Sequence, residues 1–96
     1  MFVVICRARV KAEKVGLYEA TFARLREKVL ANEPGIAFYE LCRVAGEPHA
    51  YRVVEAYADQ AAQDLHLAMD YYREASATII ECLVDGAFEM EVVETI

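Results

Sequence analysis

The residue best placed by its neighbours to do chemistry is His66. It follows Leu65 at the edge of an apolar stripe of Ala61, Ala62, Leu65 and Met69. At that edge the imidazole can point into the space between a helix and a sheet. A histidine that titrates near neutrality can take a proton from a phenol or hydroquinone. The same ring can equally be a packed histidine, hydrogen-bonded to a strand carboxylate such as Glu55. Glu40 and Glu55 interrupt otherwise apolar runs. An isolated buried charge is very costly, so each must pair or lie at an open end of a sheet. Arg7, Arg9, Arg43 and Arg52 are the expected partners in a cross-strand network, and one of them could orient an anionic oxygen. Tyr39, Tyr57, Tyr71 and Tyr72, with Phe22 and Phe38, supply more aromatic surface than a small core needs, and a flat aromatic ligand suits them. Phe22 and Tyr39 also serve ordinary packing.

Other chemistries lack their residues. There is no Gly-rich phosphate loop, no Ser-His-Asp pattern, and no His-x-His or clustered-carboxylate metal site, so neither cofactor nor metal is expected. His49 falls in a turn and reads as solvated. Cys6, Cys42 and Cys82 are odd in number and far apart, which points to reduced, buried thiols, and Cys6 has no adjacent base to activate it. Ten Lys and Arg against sixteen Asp and Glu give a net charge of −6, which disfavours nucleic acid and anionic membrane surfaces as partners. The apolar start, Met1 to Cys6, is short, lacks a basic leader and is followed by Arg7 and Arg9. It reads as a strand rather than a signal or membrane span, and the expected location is cytoplasmic.

The elements that position these residues follow from periodicity. At 96 residues the chain makes one domain over 1–96, and its apolar content of 57% is ample for a core. Phe2 to Val10 alternates between Phe2, Val4, Cys6, Ala8, Val10 and Val3, Ile5, Arg7, Arg9, a strand apolar on both sides. Val15, Tyr18, Phe22, Leu25 and Val29 mark an amphipathic helix from about Glu13 to Asn32, ended by Glu33-Pro34-Gly35. A strand from Ile36 to Val44 follows, with Ala37, Tyr39 and Leu41 on one face and Ile36, Phe38, Glu40, Cys42 and Val44 on the other. The short Ala45 to His49 connection makes a hairpin into Tyr51 to Tyr57. Asp59 caps a short helix. Asp70 opens another, with Tyr72, Ser76, Ile79 and Leu83 as its buried stripe. Asp85-Gly86 stops that helix before a last strand, Phe88 to Ile96. The order β-α-β-β-α-α-β predicts an α+β, ferredoxin-like fold: a four-stranded antiparallel sheet with its helices on one face. Val3, Ile5, Phe38 and Val54 would leave the other face apolar, so a homodimer through the open sheet face is expected.

The stretch Glu33-Pro-Gly-Ile-Ala-Phe-Tyr-Glu-Leu-Cys-Arg43 resembles the helix-to-strand signature of the antibiotic biosynthesis monooxygenase family. Tyr51 to Tyr57, Asp59 to Ala62, His66 and the pair Tyr71-Tyr72 continue the resemblance through that family's third strand, capped helix, helical histidine and aromatic turn. It implies a dimeric α+β barrel. It further implies a cofactor-independent monooxygenase acting on a phenolic or quinol-type small molecule with O2. His66 would be the catalytic proton acceptor, Tyr57 and Tyr72 would hold the substrate ring, and Val4, Phe22 and Leu25 would exclude water. The haem-degrading branch is disfavoured, since the first strand has no Asn and the chain has no Trp. Tyr57 stands where the polyketide-tailoring oxygenases carry a Trp. An isomerase or degradative enzyme for a small oxygenated metabolite, and a non-catalytic small-molecule-binding dimer, are the alternatives on the same fold.

Overall fold

The computed structural model describes all 96 residues. The elements run β1 (Phe2–Val10), a 3-10 turn (Ala12–Lys14), α1 (Val15–Asn32), β2 (Ile36–Arg43), β3 (Ala50–Tyr57), α2 (Gln60–Leu67), α3 (Asp70–Cys82) and β4 (Leu83–Glu94). The strands form one antiparallel sheet in the order β2-β3-β1-β4, and the helices cover one of its faces, the ferredoxin-like arrangement. The helical side of β1 carries Val4, Ala8 and Val10, all buried, against Tyr18, Phe22, Leu25 and Val29 of α1. The other side is uncovered. Its cross-strand rows are Phe38, Ala56, Val3, Val93, then Glu40, Val54, Ile5, Glu91, then Cys42, Arg52, Arg7, Glu89.

Four details differ from simple periodicity, and each has a local cause. On β2 a bulge between Ile36 and Phe38 sets two residues against one on β3, so Ile36 turns inward beside Tyr39 and not outward beside Phe38. On α2 the inward face is one residue later than the apolar pattern suggests: Leu65 is 55% exposed, whereas His66 is fully buried. Asp59 does cap α2, its Oδ1 accepting from the Ala62 N–H at 2.9 Å, and this fixes Ala62 and His66, four residues apart, on the inner side. Third, α3 begins at Asp70, but its N-cap is Met69, without a side-chain cap. Lastly, Asp85-Gly86 does not stop α3, which ends at Cys82. The pair lies inside β4, with φ of 56° and 61°, and forms an irregularity that shifts the β1 register between Ala8 and Val10. A left-handed pair ends a helix or bulges a strand equally well, and the pairing of Leu83 with Val10 decides for the strand.

The turn between α1 and β2 seats α2. A Cβ placed on Gly35 would lie 2.9 Å from the Ala62 Cβ, so only glycine lets α2 come this close. The Gly35 carbonyl also accepts from the Ala58 N–H at 2.8 Å, tying the turn to the residue that follows β3.

Candidate functional site

A cavity of about 110 Å³ lies between the sheet and the helices. That volume is of the order that holds one aromatic ring. Phe22, Leu25, Tyr39, Val53, Tyr72 and Ile79 form much of its wall, and Phe88 and Met90 of β4 contribute from the sheet edge. Glu55 is the only acidic side chain in the lining, with Gln63 and Ser76 as the other polar members; no Lys, Arg or His lines it.

Glu55 sits mid-strand on β3, in register between Val4 of β1 and Tyr39 of β2. Its Oε1 accepts from the Tyr57 hydroxyl, and no other side chain donates to this carboxylate. Burial raises its pKa from 4.5 to about 7; the hydrogen bond from Tyr57 opposes the rise and the nearby Glu33 adds to it. Cys6 lines the same cavity, and burial, with Glu55 nearby, pushes its thiol up to about 11, so it stays protonated at neutrality. Of the other two thiols expected inside, Cys82 is buried but Cys42 is exposed, on the uncovered sheet face.

His66 lies behind this wall. It is fully buried, as are Val4 and Tyr57, and none of the three lines the cavity; Phe22, Leu25 and Tyr72 do. The partner of His66 is not Glu55 but Glu33, at the C-cap of α1. Both Glu33 oxygens lie at hydrogen-bond distance from Nδ1, 3.0 and 3.1 Å away. The Tyr71 hydroxyl donates to the same carboxylate. A carboxylate can only accept, so Nδ1 carries a proton, and in the neutral imidazole Nε2 is then the acceptor. The Tyr39 hydroxyl meets Nε2 at 3.3 Å and donates to it when the ring is neutral. Tyr39, Tyr57 and Tyr72 surround the imidazole, with Tyr72 nearest at 4.6 Å between centroids. Burial pushes the phenols of Tyr39 and Tyr57 far up, so both are neutral donors at physiological pH. Glu33, His66 and Tyr39 thus form a hydrogen-bonded chain that ends in the cavity wall.

The cross-strand arginine network does not form as the sequence suggests. Glu40 pairs with Arg26 of α1, Arg43 with Glu19 and Arg9 with Glu47, while Arg7 reaches Glu91 at 3.8 Å. Arg52 instead donates to the Tyr51 carbonyl. None of these arginines reaches Glu55. Two participants are not evident from the sequence. Glu33 reads as part of a helix terminator and Tyr39 as core, and only the approach of α2 to the turn turns them into partners of His66. A signal for Glu33 was present, since a carboxylate before Pro-Gly has no cap to make there.

No group of three or more His, Cys, Asp or Glu converges as a metal site, and no helix is long and apolar enough to cross a membrane. Among solved structures, a protein from Caulobacter crescentus assigned to the antibiotic biosynthesis monooxygenases is 33% identical. It matches with a TM-score of 0.93, over 99% of this chain and 89% of its own. A conserved protein from Methanosarcina mazei is 26% identical, with a TM-score of 0.90 over 96% of this chain and 89% of its own. A Nitrosomonas europaea protein of the same assignment, 20% identical over 99% of this chain and 98% of its own, shares the fold with a TM-score of 0.87. Among curated proteins none matches the chain. The model of the family described as antibiotic biosynthesis monooxygenase matches residues 1–78, and with the α+β sheet and the helix-covered cavity described above, the chain belongs to that family.

Proposed function

We propose that this protein is a cofactor-independent monooxygenase acting on a small phenolic or quinol-type molecule. The observation that carries this reading is a one-ring cavity, apolar and aromatic in its walls, whose lining includes an acceptor carboxylate, Glu55, and Tyr39, the outer member of a hydrogen-bonded Tyr39–His66–Glu33 chain. An electron-rich phenolate can pass an electron to O2 without a metal or flavin. The radical pair then closes a C–O bond as a peroxide. Once the terminal peroxide oxygen takes a proton, loss of the proton on that carbon with cleavage of the O–O bond leaves a carbonyl and hydroxide, which takes up the proton lost from carbon and departs as water. One atom of O2 ends in the product and the other in water. The apolar wall serves this chemistry by keeping solvent from the radical pair.

His66 is the proton acceptor we assign, reached through Tyr39. Its free Nε2 already receives the Tyr39 O–H, so a proton arriving at the Tyr39 oxygen passes to the imidazole, where the Glu33 carboxylate stabilises the resulting cation. Phe22, Leu25 and Tyr72 hold the ring, and Val4 and Tyr57 close the floor behind it. We further propose that the uncovered sheet face joins two copies, because its row of Phe38, Ala56, Val3 and Val93 is apolar.

An oxygen electrode with a panel of hydroquinones, anthrones and simple phenols tests the reading. The expected result is uptake, product carrying one atom from labelled O2, and loss of both in His66→Ala. Absence of uptake across the panel overturns it.

A further inference from the structure

The oxygenation above removes two protons from the substrate, one from the hydroxyl and one from the ring carbon. His66, reached through a single phenol, holds one at a time. We propose that Glu55 is the second acid–base residue of the site: it receives the substrate hydroxyl directly, takes its proton, and returns that proton to the departing oxygen. The inference rests on the oxygenase reading for its catalytic part, but its binding part stands alone.

The geometry is specific. Glu55 is the one carboxylate in the lining, and its one hydrogen bond from the protein is that of the Tyr57 hydroxyl to Oε1. A carboxylate in the middle of a central strand, in register between Val4 and Tyr39, is costly there unless it works. Three of its neighbours are weaker acids: Cys6 from β1, Tyr39 from β2 and Tyr57 on its own strand are all raised well above neutrality. Tyr72 and Gln63 face it from the helices, with Glu33 and His66 behind. With its carboxyl near pH 7, Glu55 can both accept and return a proton under physiological conditions. The step balances: the O–H bond breaks, an O–H forms on the carboxylate, and the same proton later protonates the terminal peroxide oxygen, which leaves as hydroxide and becomes water with the proton lost from the ring carbon. Because no Lys, Arg or His lines the cavity, the site selects neutral ring hydroxyls over carboxylated or phosphorylated molecules.

Anaerobic titration calorimetry with phenol and anisole tests this, since the two share a ring and differ in the donor. Phenol is expected to bind roughly tenfold or more tightly than anisole at pH 8, where Glu55 is ionised, with the ratio shrinking toward pH 5.5. Phenol binding at pH 7 should release a fraction of a proton, and anisole binding none. In Glu55→Gln the ratio becomes independent of pH and the proton release disappears. A flat ratio in the wild type, phenol that does not bind, or a Glu55→Gln protein that keeps both signatures overturns the proposal. Should that variant not fold, the wild-type ratio alone decides. Oxygen is absent from this measurement, so the two readings fail separately. The expected binding pattern without oxygen uptake removes only the oxygenase, and uptake in air with a flat ratio removes only Glu55.

Discussion

Removing Glu33 should cost this fold far more than the loss of one carboxylate at a helix end. In the structure Glu33 accepts from Nδ1 of a fully buried His66 and from the Tyr71 hydroxyl. Each hydrogen bond to a charged acceptor contributes about 1.5–3 kcal/mol. Tyr71 is partly exposed and can turn to water, but the His66 N–H cannot. Breaking one side of a buried pair costs about 3–5 kcal/mol. In a domain of this size Glu33→Ala should therefore lower Tm by about 15 °C or more. Urea unfolding of the wild type, Glu33→Ala, His66→Ala and the double variant, at one protein concentration, closes a double-mutant cycle. The coupling between the two positions should be about 2 kcal/mol, the share of the imidazole–carboxylate contact. Glu33→Gln retains one acceptor and should fall about midway. A coupling below about 0.5 kcal/mol would show that the two side chains do not act as a pair, and the proton chain built on them would go with it.

Gly35→Ala should push α2 outward, because its Cβ would meet the Ala62 Cβ at 2.9 Å. The expected cost is about 1–3 kcal/mol with a shifted His66 imidazole resonance, and Ala62→Gly in the same chain should recover part of it; an unshifted resonance refutes the role given to this turn. Glu55 has a folded pKa raised from 4.5 to about 7, so the unfolded chain loses this proton first as pH rises. Its contribution to stability is full below pH 4.5 and lost as pH climbs to about 7, a decrease on the order of 3 kcal/mol that Glu55→Gln should abolish in pH-dependent urea unfolding. Leu25→Ala should cost about 2–4 kcal/mol and enlarge the cavity, shifting ligand preference toward larger rings in a thermal-stabilisation screen; an unchanged preference argues that ligands bind elsewhere. Ile5→Asp should convert a dimer to a monomer in light scattering, and a wild type that is already monomeric removes the proposed use of the open face.

The order of elements and the side of β1 that meets the helices were legible in the sequence, because both depend on local periodicity. Alternation in Phe2–Val10, the Tyr18, Phe22, Leu25, Val29 spacing and the Asp59 cap each act within a few residues of chain. Family membership was legible for the same reason: Glu33 to Arg43 and Tyr51 to Tyr72 carry their signature in order and spacing. The details that differ lie where a choice was made by a distant segment. Asp85-Gly86 bulges a strand because Leu83 finds Val10, and Ile36 turns inward because β2 slips one residue against β3. The partners of the charged groups were decided in the same way. Glu40 met an arginine on α1, and Glu55 met a tyrosine two residues on along its own strand. His66 drew attention by its type and its place at the edge of an apolar stripe, but its neighbours in space come from α1, β2, β3 and α3, segments that only the packed fold brings together. Tertiary structure alone placed His66 behind the cavity wall and Glu55 within it. Composition and spacing set how the chain folds back on itself, whereas a proton's route depends on distances of about 3 Å between atoms far apart in sequence.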